Sequence, residues 1–184
     1  MIKKITDKFG PQILKRSALN LPNGAEDMKK FMTKKPINIA VEIGTFRGIT
    51  SAWMSQFCDK LYTIDLLDGQ YEDYKERIGW ARTPAREEIW WFLGIDNIIP
   101  KAIKDNEEKK ELLESIKYDF AFIDGDHSYE GVKLDFNLVK GCKRVLFHDY
   151  DKAPGKACPV RDFIHTIKDG NIETTKDFAY WEGI

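Results

Sequence analysis

The chain has 184 residues, with 29 Lys and Arg against 30 Asp and Glu, 42% hydrophobic residues and 32% charged residues. This length suits one compact domain, and the composition is typical of a soluble globular protein. The near-neutral charge disfavours a nucleic-acid or membrane partner, and no apolar run approaches a membrane span. Three widely spaced cysteines and the lack of a signal-peptide pattern predict a cytoplasmic protein with reduced thiols.

The first third of the chain predicts a helical preface followed by a βα unit. Residues 1–35 favour short helices, and Pro36 stops the last of them because the residue before a proline disfavours the α region. Residues 37–43 form the first strongly apolar strand, and a helix is expected to open at Thr50 or Ser51.

The loop between this strand and this helix has the form Glu-x-Gly-x-x-x-Gly. Gly44 and Gly48 would let a ligand approach the backbone closely. The loop departs from the dinucleotide fingerprint, because Phe46 stands where that motif needs a second glycine. Glu42 at the strand end would repel a pyrophosphate and would suit a cationic amine or sulfonium.

The second strand, residues 61–65, ends in Asp65, at the distance from the glycine loop that is usual for an acid that binds ribose hydroxyls. A solvated Asp at a strand end is the alternative. Residues 66–82 then predict an aromatic insertion before the next helix, either a lid over the ligand edge or a packed surface helix.

Strands and helices alternate through the rest of the chain. This order predicts a Rossmann-like, doubly wound, mostly parallel sheet with helices on both faces, closed by a C-terminal antiparallel hairpin. The expected strands are residues 97–99 with an extension to 103, 118–123, 144–147, 172–175 and 178–181, and the expected helices are residues 84–93, 107–116, 129–138 and 159–168.

Two of these strands end in titratable side chains. Asp124, Asp126 and His127 follow the fourth strand, and His148 and Asp149 follow the fifth. The carboxyl ends of parallel strands share one edge of a sheet, where ligands bind in open α/β folds. Oxygen and nitrogen donors without a thiolate suit Mg²⁺ or Mn²⁺. The alternative is that Asp124 only caps the next helix and His127 is an ordinary surface residue.

These motifs together resemble one family. Residues 41–48, Asp65, the run Phe-Ile-Asp-Gly-Asp-His-Ser-Tyr at 122–129 and the run Phe-His-Asp-Tyr at 147–150 look like class I S-adenosylmethionine (SAM)-dependent methyltransferases. The resemblance covers residues 37–151. It is closest to the metal-dependent small-molecule O-methyltransferase branch that includes the macrocin-type sugar enzymes, and is more distant to the catechol-type enzymes.

The resemblance implies a role for each matching residue. Glu42 would face the methionine amino group of SAM, Thr50 its carboxylate and Asp65 its ribose hydroxyls. The implied cofactor-binding residues are Glu42, Gly44, Phe46, Gly48, Thr50, Asp65 and Asp124.

The same resemblance implies a divalent metal held by Asp124, His148 and Asp149, and a general base for the acceptor's proton. Asp126 and His127 are both candidates for the base, with His127 preferred because an imidazole titrates near neutrality. The pair His148-Asp149 departs from relatives that carry two acids, or an acid and Asn, at these positions.

The sequence therefore predicts a single-domain SAM-dependent methyltransferase. It would move a methyl group to a hydroxyl of a sugar-like or phenolic small molecule with the help of Mg²⁺ or Mn²⁺. One alternative is an NAD- or nucleotide-binding oxidoreductase, against which Glu42 and the missing glycine count. Another is a SAM-binding module without catalysis. A homo-oligomer is compatible with the sequence, which leaves the oligomeric state open.

Overall fold

Apolar runs separated by amphipathic segments fold into one seven-stranded sheet. The computed structural model describes residues 1–14, 17–20, 23–66, 85–151 and 157–184. The predicted insertion lies outside these residues except for Leu66, which ends the second strand. The strands are β1 Ile39–Ile43, β2 Lys60–Leu66, β3 Ile98–Ile103, β4 Phe120–Ile123, β5 Arg144–Phe147, β6 Asn171–Thr174 and β7 Ala179–Glu182.

The strand order is β3-β2-β1-β4-β5-β7-β6. The pairs among β1 to β5 are parallel, whereas β7 runs antiparallel to both β5 and β6. The predicted mostly parallel, Rossmann-like sheet and its C-terminal antiparallel hairpin are therefore confirmed.

Helices follow most strands, and short 3₁₀ turns complete the preface. The α-helices of the described residues are α1 Ile2–Phe9, α2 Gly24–Met32, α3 Ile49–Met54, α4 Arg86–Leu93, α5 Asn106–Ser115, α6 Tyr129–Val139 and α7 Pro159–Ile164. None of them is both long enough and apolar enough to cross a lipid bilayer.

Some predicted bounds were wrong. The last helix stops at Ile164, four residues before the expected end, and the helix before β3 begins at Arg86. That helix does end at Gly94 in the left-handed conformation, as the sequence predicted. Within the preface, where the sequence predicted short helices, the structure also has the 3₁₀ turns Pro11–Leu14 and Ala18–Asn20.

Alternation along the strands divides the core between the two faces of the sheet, because successive side chains of a strand point to opposite faces. In β4, Phe120 and Phe122 pack in one cluster with the preface, α2 and α3. Ala121 and Ile123 pack in the other cluster with α6 and α7. The preface thus belongs to the core of the domain.

The sheet order reverses at β1, which has β2 on one side and β4 on the other. Successive elements therefore wind away in opposite directions and leave a crevice beyond the ends of β1 and β4. The backbone ladder extends one step past the strands, since the Asp124 N–H donates to the Ile43 carbonyl at 2.9 Å. The loops that follow these two strands meet at this crevice.

A buried ion pair joins two helices below the loop that follows β4. Lys109 of α5 donates to Asp135 of α6 at 2.5 Å, and both side chains are at most 10% exposed. Burial raises the pKa of Asp135 although Lys109 acts to lower it, so the cost of desolvation exceeds the attraction of the pair.

We expect Asp135→Ala to cost about 3–5 kcal/mol of unfolding free energy, because it leaves the Lys109 ammonium buried without its partner. Denaturant unfolding of the variant measures this loss. Asp7→Ala is the matched control, since it breaks the exposed pair of Lys3 and Asp7 and should cost at most about 0.5 kcal/mol. Equal losses in the two variants would contradict the assignment.

Candidate functional site

The loop after β1 is held in left-handed backbone conformations. Gly44 has φ 93°, Phe46 φ 48° and Gly48 φ 68°. A Cβ at Gly44 would lie 2.3 Å from the Asp124 carbonyl oxygen, and one at Gly48 would lie 2.7 Å from the Trp90 ring. Both glycines are therefore required by close approach as well as by conformation.

Asp65, at the edge formed by the end of β2, fixes this loop. Its Oδ2 accepts a hydrogen bond from the Phe46 N–H at 2.8 Å and lies 3.2 Å from Nη1 of Arg86. Asp65, which the sequence predicted to bind ribose, therefore holds Phe46 in its left-handed conformation. No local sequence pattern marks Arg86 as a site residue, because its contact with Asp65 depends on how α4 packs.

Glu42 is completely buried at the end of β1. The Ser51 hydroxyl of α3 donates to its Oε2, and its Oε1 has no hydrogen-bond partner among the described residues. Burial raises the pKa of Glu42 well above its ordinary value, Ser51 lowers it, and the nearby Asp124 and Asp65 raise it further. An incompletely paired buried carboxyl is a receptor for a cation or a hydrogen-bond donor.

A cavity opens where these parts meet. Four of the predicted cofactor residues, Gly44, Phe46, Thr50 and Asp124, line it. Of the other three, Gly48 lies in the loop itself. Glu42 contacts Ser51 of α3, and Asp65 contacts Phe46 of the loop. The remaining lining residues are Ser17, Thr45, Arg47 and Ile49.

Arg47 connects the loop after β1 to the preface. Its buried guanidinium donates to the carbonyl oxygens of Gln12 and Ile13 at 3.1 and 3.2 Å. Ser17 of the same segment reaches the cavity lining. Sequence reasoning placed Arg47 in the loop motif without a role and gave no role to Ser17, since no local pattern marks a contact across 30 residues.

The polar ends of β4 and β5 form a row of alternating acids and imidazoles. His148 Nδ1 lies 2.8 Å from Asp124 Oδ1 and 3.4 Å from Asp149 Oδ1. The other oxygen of Asp149, Oδ2, lies 3.5 Å from Nδ1 of His127. Asp149 adopts φ 58°, an uncommon conformation for a residue with a side chain. The structure thus brings together four of the predicted site residues.

Asp126 stands apart from this row. Its Oδ1 accepts from the Ser128 N–H at 2.8 Å, and Ser128 caps α6 by accepting from the Gly131 N–H at 3.0 Å. A Cβ at Gly131 would lie 2.3 Å from the Asp126 carboxyl carbon. The Asp126 carboxylate therefore packs against the first turn of α6. The His127 side chain is 49% exposed.

The donors do not fit the predicted metal. Within the part of the chain that the structure describes, no group of three or more His, Cys, Asp or Glu side chains is arranged to hold a metal ion. His148 Nδ1 lies 2.8 Å from Asp124 Oδ1, and it is the donor of this hydrogen bond because an ionised carboxylate only accepts. A nitrogen that donates a proton has no lone pair for a metal, so Nδ1 of His148 is not available to a divalent ion shared with Asp124 and Asp149.

A family model described as "Methyltransferase domain" matches residues 41–150, more than half of the chain. The chain belongs to this methyltransferase family. The match spans every motif on which the sequence resemblance rested, so the predicted family is confirmed. No curated protein matches the sequence.

Solved structures share the fold at low sequence identity. An O-methyltransferase from Bacillus cereus in complex with SAH (S-adenosylhomocysteine) is 14% identical, each chain is covered in full and the TM-score is 0.59. TomG, a Streptomyces achromogenes O-methyltransferase involved in tomaymycin synthesis and solved with SAM, is 14% identical over 99% of this chain and 88% of its own, with a TM-score of 0.58. Cofactor-bound Rv0187 from MTB is 11% identical over 98% of this chain and 94% of its own, with a TM-score of 0.66.

The burial of Glu42 predicts a stability that depends on pH. The pKa of Glu42 in the folded protein is raised above its ordinary value of 4.5, so above that pH the folded state keeps a proton that the unfolded state has lost. The free energy of unfolding therefore falls as the pH rises above 4.5. We expect Glu42→Gln to melt at a higher temperature than the parent at pH 8. The difference should vanish below about pH 4.5, where Glu42 is protonated in both states.

Thermal unfolding between pH 4 and pH 8 measures this difference. Glu87→Gln is the control, because Glu87 is an exposed carboxylate in the first turn of α4. A melting-temperature difference for Glu42→Gln that is the same at both ends of this range would contradict the prediction.

Proposed function

We propose that this protein transfers a methyl group from SAM to a hydroxyl group of a small molecule. The observation that carries the proposal is the cavity at the crevice between β1 and β4. Gly44, Phe46, Thr50 and Asp124 line it, and Glu42 is buried at the end of β1, two residues before Gly44. The same fold in O-methyltransferases solved with SAM and SAH supports this choice of cofactor and reaction.

The charge of the cofactor suits this cavity. SAM carries an ammonium and a sulfonium, and either cation beside Glu42 would favour the ionised carboxylate that burial disfavours. Thr50 is buried in the cavity lining and offers a hydroxyl to the cofactor carboxylate. Asp65 would accept from the ribose hydroxyls while keeping the Phe46 N–H, since a carboxylate has room for several hydrogen bonds.

The transfer needs alignment more than activation. An acceptor oxygen attacks the methyl carbon, the carbon–sulfur bond breaks with its electrons going to sulfur, and SAH leaves as the neutral thioether. A protein that holds oxygen, carbon and sulfur in line supplies most of the rate through geometry. The hydroxyl proton must then pass to a base beside the cavity.

We assign that base to His127. Asp149 lies 3.5 Å from its Nδ1 and would fix the tautomer that leaves Nε2 able to accept a proton. Asp126 is the second candidate, but its carboxylate already accepts from the Ser128 backbone. No step of this mechanism passes through a metal ion.

The acceptor class rests on fewer observations. Lys and Arg balance Asp and Glu across the chain, so a small uncharged or weakly charged molecule suits it better than a nucleic acid. A hydroxyl of a sugar or a phenol is the acceptor we propose. A cytoplasmic location stays a prediction.

Cofactor binding is tested by calorimetry with SAH and with NAD. The protein should bind SAH and give no heat with NAD. Gly44→Ala should weaken SAH binding by at least about tenfold, because its Cβ would collide with the Asp124 backbone. Gly94→Ala is the matched control: Gly94 has a similar φ of 68°, yet no atom lies within 4 Å of its Cβ position. Binding of NAD without SAH would restore the oxidoreductase alternative.

The base is tested by turnover with methyl-labelled SAM and an acceptor found among sugars and phenols. His127→Asn should lower kcat by about 10²–10⁴ because it removes the proton acceptor, and should leave the Kd for SAH unchanged because His127 is not among the residues that line the cavity. Asp126→Asn is the matched variant and should keep most of the activity, because Asn can still accept from Ser128. The reverse pattern would make Asp126 the base.

A further inference from the structure

We propose that His148 takes the place of a divalent cation between Asp124 and Asp149, so that the site works without a metal. The inference concerns the same site as the proposed methyl transfer and rests on that function for its catalytic meaning. Metal binding itself can be measured without any turnover.

One ring nitrogen of His148 contacts both carboxylates. His148 Nδ1 lies 2.8 Å from Asp124 Oδ1 and 3.4 Å from Asp149 Oδ1. A metal shared by these residues would sit between the same two oxygens, at about 2.0–2.6 Å from each. The nitrogen and the ion would therefore compete for one position.

The imidazole of His148 is held in place by buried aromatic rings. The ring centroid of His148 lies 5.3 Å from that of Phe178 and 6.5 Å from that of Phe122, and both phenylalanines are completely buried. The backbone N–H of His148 donates to the Ile123 carbonyl at 3.1 Å, which extends the pairing of β4 and β5. Moving the imidazole to admit an ion would open this aromatic cluster.

The two carboxylates beside His148 are poorly hydrated. Asp149 is only 6% exposed, and the Asp124 side chain is 14% exposed. Carboxylates this poorly hydrated need a hydrogen-bond donor or a cation beside them. His148 donates its Nδ1–H to Asp124 and lies 3.4 Å from Asp149, and His127 approaches the second oxygen of Asp149. The requirement that a metal would otherwise meet is met by two imidazoles.

The test is a Mn²⁺ titration by calorimetry on the full chain with SAH present, after dialysis against a chelator. The protein should bind Mn²⁺ more weakly than about 1 mM. His148→Asp removes the imidazole and adds a carboxylate at the ion's position, so it should gain a Mn²⁺ site at least about tenfold tighter. Adding Asp124→Asn to that variant should abolish the gain.

Two controls make the titration decisive. His165→Asp adds the same charge at an exposed histidine whose contact is the Tyr150 hydroxyl, and it should gain no site. If His148→Asp does not fold by circular dichroism, His148→Asn supplies a neutral oxygen donor in the same place and is used instead.

Three outcomes would overturn the inference: tight stoichiometric Mn²⁺ binding by the unaltered protein that Asp124→Asn removes; a folded His148 variant that gains no Mn²⁺ affinity; or an equal gain in His165→Asp. If the unaltered protein did not bind SAH, that result would instead contradict the proposed methyl transfer. The two ideas therefore fail on different measurements.

Discussion

The close contact between Gly44 and the Asp124 carbonyl is the constraint on which the site depends. It joins the loops after β1 and β4 at the point where the sheet reverses its order. No side chain fits between them, so the two backbones are in direct contact where they line the cavity. This contact positions the left-handed loop, which Asp65 holds, relative to Asp124 and the imidazoles beyond it.

The four acids along this edge of the sheet are neutralised in different ways. Asp65 is paired with a backbone N–H and with Arg86, while Asp124 and Asp149 face imidazoles. Among the described residues, Glu42 has the Ser51 hydroxyl as its one hydrogen-bond partner. A cationic ligand would therefore gain most beside Glu42, at the end of β1.

The sequence predicted those parts that local patterns determine. Strand β5 was predicted with its observed bounds because an apolar run ends sharply in polar residues, and Gly94 was recognised as a helix terminator. The pairing of Arg86 with Asp65 depends on how a whole helix packs, and no local pattern reports that. The metal was inferred from residue types alone, whereas a ligand set also needs donors that converge, and the described residues show no such set.

The hydrogen bonds from Arg47 to Gln12 and Ile13 have a consequence for dynamics. They make the preface part of the wall of the cavity, so a molecule that fills the cavity stabilises the preface by mass action. Slow amide exchange around Ile13 would then report occupancy of a pocket whose glycine loop lies some 30 residues further along the chain.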